Sequence, residues 1–380
     1  MDLFEMRDFD GHEQVVFGFD AASGLRAVIA IHSTVLGPSA GGCRMWPYAG
    51  LSDAVSDALR LSRGMSYKNA MAELPFGGGK AVIVGDSREK TRQRMEAFGR
   101  LVDSLGGRYI TAEDVGTTTR DMEQVACVTP FVTGLPRHGM DGAVPLALPG
   151  GSAPDSDIPS GLGDSLMQVG GDPGPKTAFG VFLGLKAAVR VRLGRASVEG
   201  IRIAVQGLGG VGYPLCRLLA AEGALLRVAD ARAAAVQRVC QELGAQEVAA
   251  ESILFEDVDV VAPCALGAVL DAHSIPRLRA RVVAGAANNQ LARDEDGEAL
   301  MRAGILYAPD YVINAGGIIS VAHEYQGGTN AAQVRAEIEK IPVRLTEIFE
   351  RARRESRPTS SVADHMARDR LAMGTRRKVA

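Results

Sequence analysis

The stretch IRIAVQGLGGVG, residues 201–212, decides the fold of the second half of this chain. It begins as a buried strand, turns on glycines and continues as a helical pattern, after which the apolar run of residues 225–229 ends on Asp230. A strand, glycine turn, helix, second strand and acid, in this order, are typical of a dinucleotide-binding βαβ unit. The alternative is a structural glycine turn in an α/β domain that binds no cofactor.

The residue types in this unit match the needs of a bound dinucleotide. Gly207 permits the tight turn, and Gly209 lets the backbone approach a pyrophosphate at the positive N-terminus of the helix. Gly212 allows the helix to pack closely on the strand. Asp230 can accept hydrogen bonds from the adenosine ribose and would repel a 2′-phosphate, which favours NAD over NADP, although nearby Arg232 leaves NADP open. The candidate cofactor-binding residues of this unit are Gly207, Leu208, Gly209, Gly210, Val211, Gly212 and Asp230.

Further short apolar runs follow at residues 258–261, 282–283 and 305–307. Each ends near small or polar residues, and ligands gather at strand ends in open α/β sheets. This repetition predicts a doubly wound sheet whose loops face a ligand. The segment after residue 344 is charged and helical, and we expect its last part to pack back on the first half of the chain.

The composition limits the classes of function. The 380 residues suffice for two domains, and a net charge of −3 gives no strong attraction to nucleic acid or membrane. No uncharged apolar run reaches the roughly 18–20 residues that span a bilayer, and the N-terminus lacks a secretory signal. The five cysteines are scattered and form no C-x-x-C pair, so we expect neither a metal site nor a disulfide framework. A cytoplasmic, reduced protein follows as the default.

The first half of the chain alternates predicted strands and helices. Apolar runs predict strands at residues 15–19, 27–31, 81–84 and 109–112. Helical spacing predicts a helix that starts near Leu51 with Ser52 as its N-cap, and a second helix over residues 95–105. Thr118 and Asp121 form the capping pair of a third helix.

Residues 66–80, SYKNAMAELPFGGGK, carry two lysines and a run of three glycines. Such a run is costly to order, so it fits a place where the backbone passes close to something, for which a ligand is one candidate. Lys80 then opens the strand at residues 81–84, where the alternative is a lysine that snorkels to water. Lys68, Lys80 and Asp114 all fall at the ends of predicted elements.

Residues 138–174 differ from the rest of the chain. Fourteen of these 37 residues are Gly or Pro, and none is Lys or Arg. A loop of this length without periodicity is unusual inside a compact domain, where it is either a functional lid or a disordered insertion. The composition favours a disordered insertion that loops outward. Its deletion should then leave turnover largely intact.

Six motifs occur along the chain in one order. They are GGCRM (41–45), GMSYKNA (64–70), GGGK (77–80), TAEDVGT (111–117), APCA (262–265) and NAGG (314–317). Together they closely resemble the amino-acid dehydrogenases of the leucine, valine and phenylalanine group, relatives of glutamate dehydrogenase, and the leucine branch most of all. The resemblance covers nearly the whole chain. It implies NAD-dependent oxidative deamination of an α-amino acid to a 2-oxo acid and ammonia by a homo-oligomer, often an octamer.

The resemblance also implies roles for individual residues. Lys80 matches the catalytic lysine that activates the attacking water, and Asp114 matches the acid that moves protons to and from the amino group. Lys68 matches the lysine that binds the substrate α-carboxylate. The other substrate candidates are Gly41, Gly42, Met65 and Asn289, the last near the substrate amine. The other cofactor candidates are Thr177, Ala265, Asn289 and Asn314.

Four small or branched residues should line the side-chain pocket by the same resemblance. These are Ala40, Ala112, Ile318 and Val321, and none can bind a side-chain carboxylate, which argues against glutamate. They favour leucine, valine or isoleucine, while the space beside Ala40 leaves phenylalanine as an alternative. An alternative of another class is a catalytically silent NAD-binding regulatory paralogue. A 2-hydroxy-acid dehydrogenase is disfavoured because no histidine stands in a suitable motif.

These observations together predict an α/β protein of two domains. Residues 1–134 form an N-terminal α/β domain for substrate binding and oligomerisation, which takes back the C-terminal helix at about residues 350–380. Residues 138–174 are the insertion, and residues 175–349 form the Rossmann-type, doubly wound NAD-binding domain. The active site should lie in the cleft between the domains.

Overall fold

The computed structural model describes residues 2–135, 172–327 and 330–379. Most of the predicted insertion, residues 138–171, lies outside this part of the chain. Gly174, which the sequence analysis placed at the end of the insertion, is instead the first residue of a helix.

Among the described residues, five strands form the first sheet. The strands are β1 (Gln14–Asp20), β2 (Leu25–Ser33), β3 (Ser39–Trp46), β4 (Gly77–Val84) and β5 (Tyr109–Glu113). Their order in the sheet is β1-β2-β4-β3-β5. Strand β2 pairs antiparallel with both β1 and β4, and β3 pairs parallel with both β4 and β5. The central strand β3 was not predicted, because its sequence SAGGCRMW lacks the β-branched residues and alternation typical of strands.

Strand β4 begins at Gly77, so Lys80 lies inside it and not at its mouth as predicted. The three glycines are also part of the strand. A Cβ atom on Gly78 would lie 2.0 Å from the backbone nitrogen of Ser66, and one on Gly79 would lie 2.7 Å from the ring of Tyr109. Close packing against a helix and an aromatic ring therefore accounts for the run without a ligand.

In the described part of the chain, three helices of the first half cover the first sheet. They are α1 (Leu51–Met71), α2 (Arg92–Asp103) and α3 (Thr119–Ala126). The capping box of Thr118 and Asp121 is confirmed at the start of α3. The predicted N-cap at Ser52 is wrong, because α1 begins one residue earlier and its N-cap is Gly50, which has no side chain to donate or accept a hydrogen bond.

The second sheet is entirely parallel in the described residues. Its strands are β6 (Arg202–Gln206), β7 (Leu225–Ala229), β8 (Gln246–Glu247), β9 (Val260–Pro263), β10 (Val282–Val283) and β11 (Leu306–Tyr307). They lie in the order β11-β10-β9-β6-β7-β8. The chain therefore runs outward from β6 to β8, then crosses over and runs outward again from β9. This is the doubly wound arrangement that the sequence predicts, with its switch point between β6 and β9.

The remaining helices pack on the second sheet or return to the first. They are α4 (Gly174–Leu193), α5 (Gly212–Ala221), α6 (Ala233–Leu243), α7 (Glu295–Arg302), α8 (Asp310–Ile313), α9 (Gly316–Gln326), α10 (Ala331–Ile338), α11 (Ile341–Glu355) and α12 (Thr359–Val379). Helix α12 lies against α1, where the Arg368 Nε donates to the Tyr67 hydroxyl at 2.8 Å. No helix in the described ranges is both long and apolar enough to cross a membrane.

Candidate functional site

Lys80 and Asp114 form a largely buried ion pair in the first sheet. Lys80 lies on β4, Asp114 follows β5, and β3 runs between these two strands. The Lys80 ammonium donates directly to Asp114 Oδ2, across the position of Gly42 on β3. A Cβ atom on Gly42 would lie 2.9 Å from the Cβ of Asp114, so the glycine leaves the space in which the pair meets. The ammonium of Lys80 and the carboxylate of Asp114 therefore meet beside Gly42, where β3 carries no side chain.

A second cation faces the other oxygen of Asp114. Arg44 Nη2 lies 3.9 Å from Asp114 Oδ1, which also accepts the backbone N–H of Val115 at 2.6 Å. Arg44 is held in place by Asp57 at 2.9 Å. Burial alone would raise the pKa of Asp114, but Lys80 and Arg44 outweigh it and lower this pKa to about 2. The carboxyl group is therefore held as a carboxylate.

This low pKa predicts a pH dependence of stability. A carboxyl group whose pKa is lower in the folded state stabilises the fold above its unfolded-state pKa and loses that contribution as the pH falls. The free energy of unfolding should therefore drop more steeply in the wild type than in Asp114→Asn between about pH 4 and pH 2. Urea unfolding of both proteins across that window measures the difference. Parallel pH profiles would show that Asp114 is not held ionised by its neighbours.

Lys68 faces the same cleft from the last turn of α1. Its ammonium donates across the cleft to Asn288 Oδ1 at 3.3 Å, and the same oxygen accepts Asn314 Nδ2 at 2.8 Å. Desolvation in the cleft lowers the pKa of Lys68 to about 8, although Asp310 opposes this. The sequence analysis selected Asn289, but the structure brings Asn288 to Lys68. Asn289 is the next residue of the loop, with a left-handed φ of 51°.

The other substrate candidates of the first domain and of α9 lie on four elements, β3, α1, β5 and α9. Gly41 is on β3, where a Cβ atom would lie 1.8 Å from the Gly79 carbonyl oxygen and 3.2 Å from the Met65 side chain. Ala40 is buried on β3, and half-buried Ala112 is on β5. The half-buried residues Ile318 and Val321 lie on α9. The four residues predicted to line the side-chain pocket therefore lie on the first sheet and on α9.

The glycine turn after β6 has the shape that a dinucleotide requires. Gly207 has a φ of 93°, and a Cβ atom on it would lie 2.7 Å from the Cβ of Ala265. A Cβ atom on Gly212 would lie 1.8 Å from the Gly207 carbonyl oxygen. In contrast, a Cβ on Gly209 or Gly210 would meet no atom within 4 Å. The turn is therefore tightly packed on its protein side and open on the side where a pyrophosphate would approach α5.

Asp230 closes this turn as the sequence predicts. Its Oδ2 accepts the backbone N–H of Leu208 at 2.6 Å, and its Oδ1 accepts both the backbone N–H of Arg232 at 2.8 Å and the Arg232 Nε at 3.1 Å. Val211 is the N-cap residue of α5. The acid thus stands at the end of β7 beside the open face of the turn, with a cation next to it.

The remaining cofactor candidates lie around the ends of the strands. Ala265 follows β9 and lies against Gly207. Thr177, in the first turn of α4, donates to the Pro173 carbonyl oxygen at 3.0 Å. Asn314 donates to the Ala286 carbonyl oxygen at 3.0 Å, just before α9. These residues lie at the carboxyl side of the parallel sheet, where nucleotide ligands bind in such folds.

A cavity of about 880 Å³ lies between the two domains, close to Asp114 through Arg44 and Val115 and close to Gly207 through Ala265. Arg44, Trp46 and Val115 line it from the first domain, and Leu266 and Asn288 line it from the second. Among the described residues, no three or more His, Cys, Asp and Glu side chains form a group that could hold a metal ion. A two-domain α/β protein with a buried lysine–aspartate pair in one domain and a dinucleotide-type glycine turn in the other belongs to the class of nicotinamide-dependent oxidoreductases.

Comparison with protein families defines this class further. Residues 12–129 match the model described as Glu/Leu/Phe/Val dehydrogenase, dimerisation domain, and residues 224–377 match Glutamate/Leucine/Phenylalanine/Valine dehydrogenase. The chain belongs to this family. It is therefore an amino-acid dehydrogenase with a dinucleotide-binding domain for a nicotinamide cofactor.

Individual relatives extend over almost the full chain. Leucine dehydrogenase of Bacillus subtilis is 45% identical over 98% of this chain and 94% of its own length. Valine dehydrogenase of Streptomyces virginiae is 45% identical over 96% of this chain and 95% of its own length. The solved structure of L-tryptophan dehydrogenase from Nostoc punctiforme is 40% identical and has a TM-score of 0.76, with 96% of this chain and 97% of that chain covered.

Proposed function

We propose that this protein catalyses the reversible, NAD-dependent oxidative deamination of leucine, valine and isoleucine to their 2-oxo acids and ammonia. The observation that carries the proposal is the largely buried Lys80–Asp114 pair, whose neighbours Arg44 and Val115 line the cavity between the two domains. The leucine and valine dehydrogenases among the relatives support the aliphatic substrates and not the phenylalanine alternative. The complete set of charged residues also argues against a catalytically silent paralogue.

Each charged residue of the cleft has a role in this reaction. Lys68, kept cationic below about pH 8, binds the substrate α-carboxylate. Asp114 accepts a proton from the substrate amine and later returns one to the leaving ammonia. When the substrate binds, Lys80 gives its ammonium proton to solvent, and the neutral amine then holds the water that attacks the imino carbon and takes one proton from it as the C–O bond forms. When bound, the nicotinamide supplies the acceptor for the hydride that leaves Cα.

The carboxylate of the substrate and its reacting carbon are fixed by opposite sides of the cleft. Asn288 and Asn314 lie beside Lys68, so an amino acid on Lys68 brings its Cα towards the carboxyl ends of the second sheet. Thr177, Ala265 and Asn314 would hold the nicotinamide there. Asn289 would approach the substrate amine from the same loop. Closing water out of such a cleft strengthens every charged interaction within it.

The side-chain pocket is the basis for aliphatic specificity. Its proposed lining, Ala40, Ala112, Ile318 and Val321, contains no cation to pair with a glutamate side chain. Gly41, Gly42 and Met65 are the proposed contacts for the backbone of the substrate beside this pocket. Discrimination between substrates that differ by one methylene amounts to only about 1–3 kcal/mol, so we infer that several aliphatic amino acids are accepted.

Asp230 supports NAD as the cofactor. A carboxylate at this position accepts hydrogen bonds from the ribose 2′-hydroxyl and repels a 2′-phosphate. The Arg232 guanidinium lies against Asp230 and is engaged by it, which leaves the acid as the group that faces the ribose. The proposal therefore gives NAD precedence over NADP.

The family resemblance also supports a proposal for assembly and domain division. The model matched by residues 12–129 is described as a dimerisation domain, which supports self-association through the first domain. We propose a homo-oligomer in the cytoplasm, with residues 1–134 and helix α12 forming the substrate domain and residues 175–349 forming the NAD domain. Size-exclusion chromatography with light scattering measures the subunit number.

A substrate panel tests the proposed function. We expect kcat/KM to be highest for leucine, valine or isoleucine with NAD, lower for phenylalanine, and lower still with NADP in place of NAD. Glutamate should give no turnover, because its side-chain carboxylate would enter an apolar pocket without a partner. The assay follows NADH absorbance at saturating cofactor. Highest efficiency with glutamate or phenylalanine would contradict the pocket assignment.

A further inference from the structure

Helix α9 contacts both domains. Its first residues pack on the second domain, where a Cβ atom on Gly316 would lie 2.1 Å from the Lys176 carbonyl oxygen. A Cβ atom on Gly317 would likewise lie 2.6 Å from Thr177 Oγ1. The beginning of α9 is therefore locked against α4 of the second domain, with no space for even a methyl group between them.

The other end of α9 is held by the first domain. The Glu324 carboxylate accepts the backbone N–H groups of Gly134 and Leu135 through Oε1, at 3.0 Å and 3.1 Å. One turn earlier, the Thr133 hydroxyl donates to the Val321 carbonyl oxygen at 3.5 Å. The three residues 133–135 thus grip the last turn and a half of the helix. We call this set of contacts the Glu324 clasp.

The Glu324 clasp is connected directly to the strand of the catalytic acid. The Thr133 backbone N–H donates to the Thr111 carbonyl oxygen at 2.9 Å, and the Thr111 N–H donates to the Phe131 carbonyl oxygen at 3.0 Å. These bonds place residues 131–133 beside β5, which carries Ala112 and leads to Asp114. The clasp therefore fixes α9 relative to β5.

Two residues of the proposed side-chain pocket lie on α9 between these two anchored ends. Ile318 lies just after the glycines, and Val321 lies one turn further along the helix. Both belong to the proposed side-chain pocket, together with Ala112 on β5. A shift of α9 relative to β5 would change the width of this pocket while leaving the dinucleotide turn in place.

We propose that Glu324 is a positioning residue that sets the width of the substrate side-chain pocket by holding α9 to the strand of Asp114. The inference rests on the proposed function, because it deepens the account of substrate choice. Glu324 is suited to the role because one carboxylate oxygen accepts two backbone donors that would otherwise be left without partners. A glutamine oxygen could accept the same two bonds, whereas an alanine could accept neither.

The test compares Glu324→Ala with Glu324→Gln by substrate choice. The ratio of kcat/KM for leucine over valine should change by about fivefold or more in Glu324→Ala, because a wider pocket alters discrimination between side chains. The KM for NAD should stay within about twofold of the wild type, since the dinucleotide turn is not involved. Glu324→Gln should keep the wild-type ratio. Glu350→Ala, which removes an exposed glutamate from α11, is the matched control.

Amide hydrogen exchange measures the stability of the Glu324 clasp independently of catalytic turnover. The amides of Gly134 and Leu135 should exchange about tenfold faster in Glu324→Ala and at the wild-type rate in Glu324→Gln. Should Glu324→Ala fail to fold, Thr133→Val removes the hydroxyl contact with Val321 and should alter the substrate ratio in the same direction by a smaller factor.

The outcomes separate this inference from the proposed function. An active wild type whose leucine-to-valine ratio is unchanged in Glu324→Ala, or a glutamine variant that behaves like the alanine variant, overturns the role of Glu324 alone. A folded wild type that turns over no aliphatic amino acid overturns the proposed function, and the role of Glu324 in substrate choice falls with it.

Discussion

Lys80→Ala is expected to lower kcat for leucine by about 10²–10⁴-fold, the range for loss of a positioned acid–base group. The effect should be large because Lys80 is buried and pairs directly with Asp114. A lysine on the exposed surface of the protein cannot take over its role. Binding of NAD should be retained, since the dinucleotide turn lies on the other domain. Initial rates of NADH formation and isothermal titration with NAD measure the two effects.

A matched lysine variant separates chemistry from charge. Lys186→Ala removes a lysine of the second domain that pairs with Glu222 at 2.7 Å on the protein surface. It should retain turnover within about twofold, because a partly exposed ion pair contributes little. A Lys80→Ala protein that is folded and as active as Lys186→Ala would remove Lys80 from the catalytic machinery.

Gly41→Ala should destabilise the fold by about 3 kcal/mol or more, one of the larger effects that a single methyl group can have. The added Cβ would lie 1.8 Å from the Gly79 carbonyl oxygen, which is backbone and cannot rotate away. Strands β3 and β4 would have to separate, and the spacing between Lys80 and Asp114 would change with them. Urea unfolding and the soluble yield measure this loss.

Gly64→Ala is the control for the strand glycine. Gly64 lies inside α1, and a Cβ atom there would meet no atom within 4 Å. Alanine in a helix interior is favoured over glycine by roughly 1 kcal/mol, so this variant should be as stable as the wild type or more stable. If Gly41→Ala were equally well tolerated, the close approach of β3 and β4 would not be what the fold requires.

The inner strands of the second domain could be predicted from sequence, because they are short apolar runs, the turn is marked by Gly207 and Gly212, and an acid follows the second strand. The edge strand β8 was not predicted, since its two residues Gln246 and Glu247 are polar and exposed. The first domain was predicted less well. Strand β3 carries the site glycines Gly41 and Gly42 in place of residues that favour strands. Because glycine has a low strand propensity, the sequence did not predict this strand.

The pair of Lys80 and Asp114 could be predicted from motifs, but its surroundings could not. Arg44 was visible only as part of a motif, and its 3.9 Å approach to Asp114 depends on the pairing of β3 with β5. Asn288 meets Lys68 from 220 positions away along the chain, and Glu324 meets Gly134 from 190 positions away. Periodicity in the sequence reports local helices and strands. It therefore does not indicate which residues of the two domains meet.

Product analysis tests the central claim most directly. L-Leucine and NAD are incubated with the purified full-length protein, and NADH, ammonium and the 2-oxo acid are quantified in the same sample. The account predicts all three in equal molar amounts, with none formed by Lys80→Ala. A protein that binds NAD tightly but releases neither ammonium nor a 2-oxo acid from any aliphatic amino acid would contradict it.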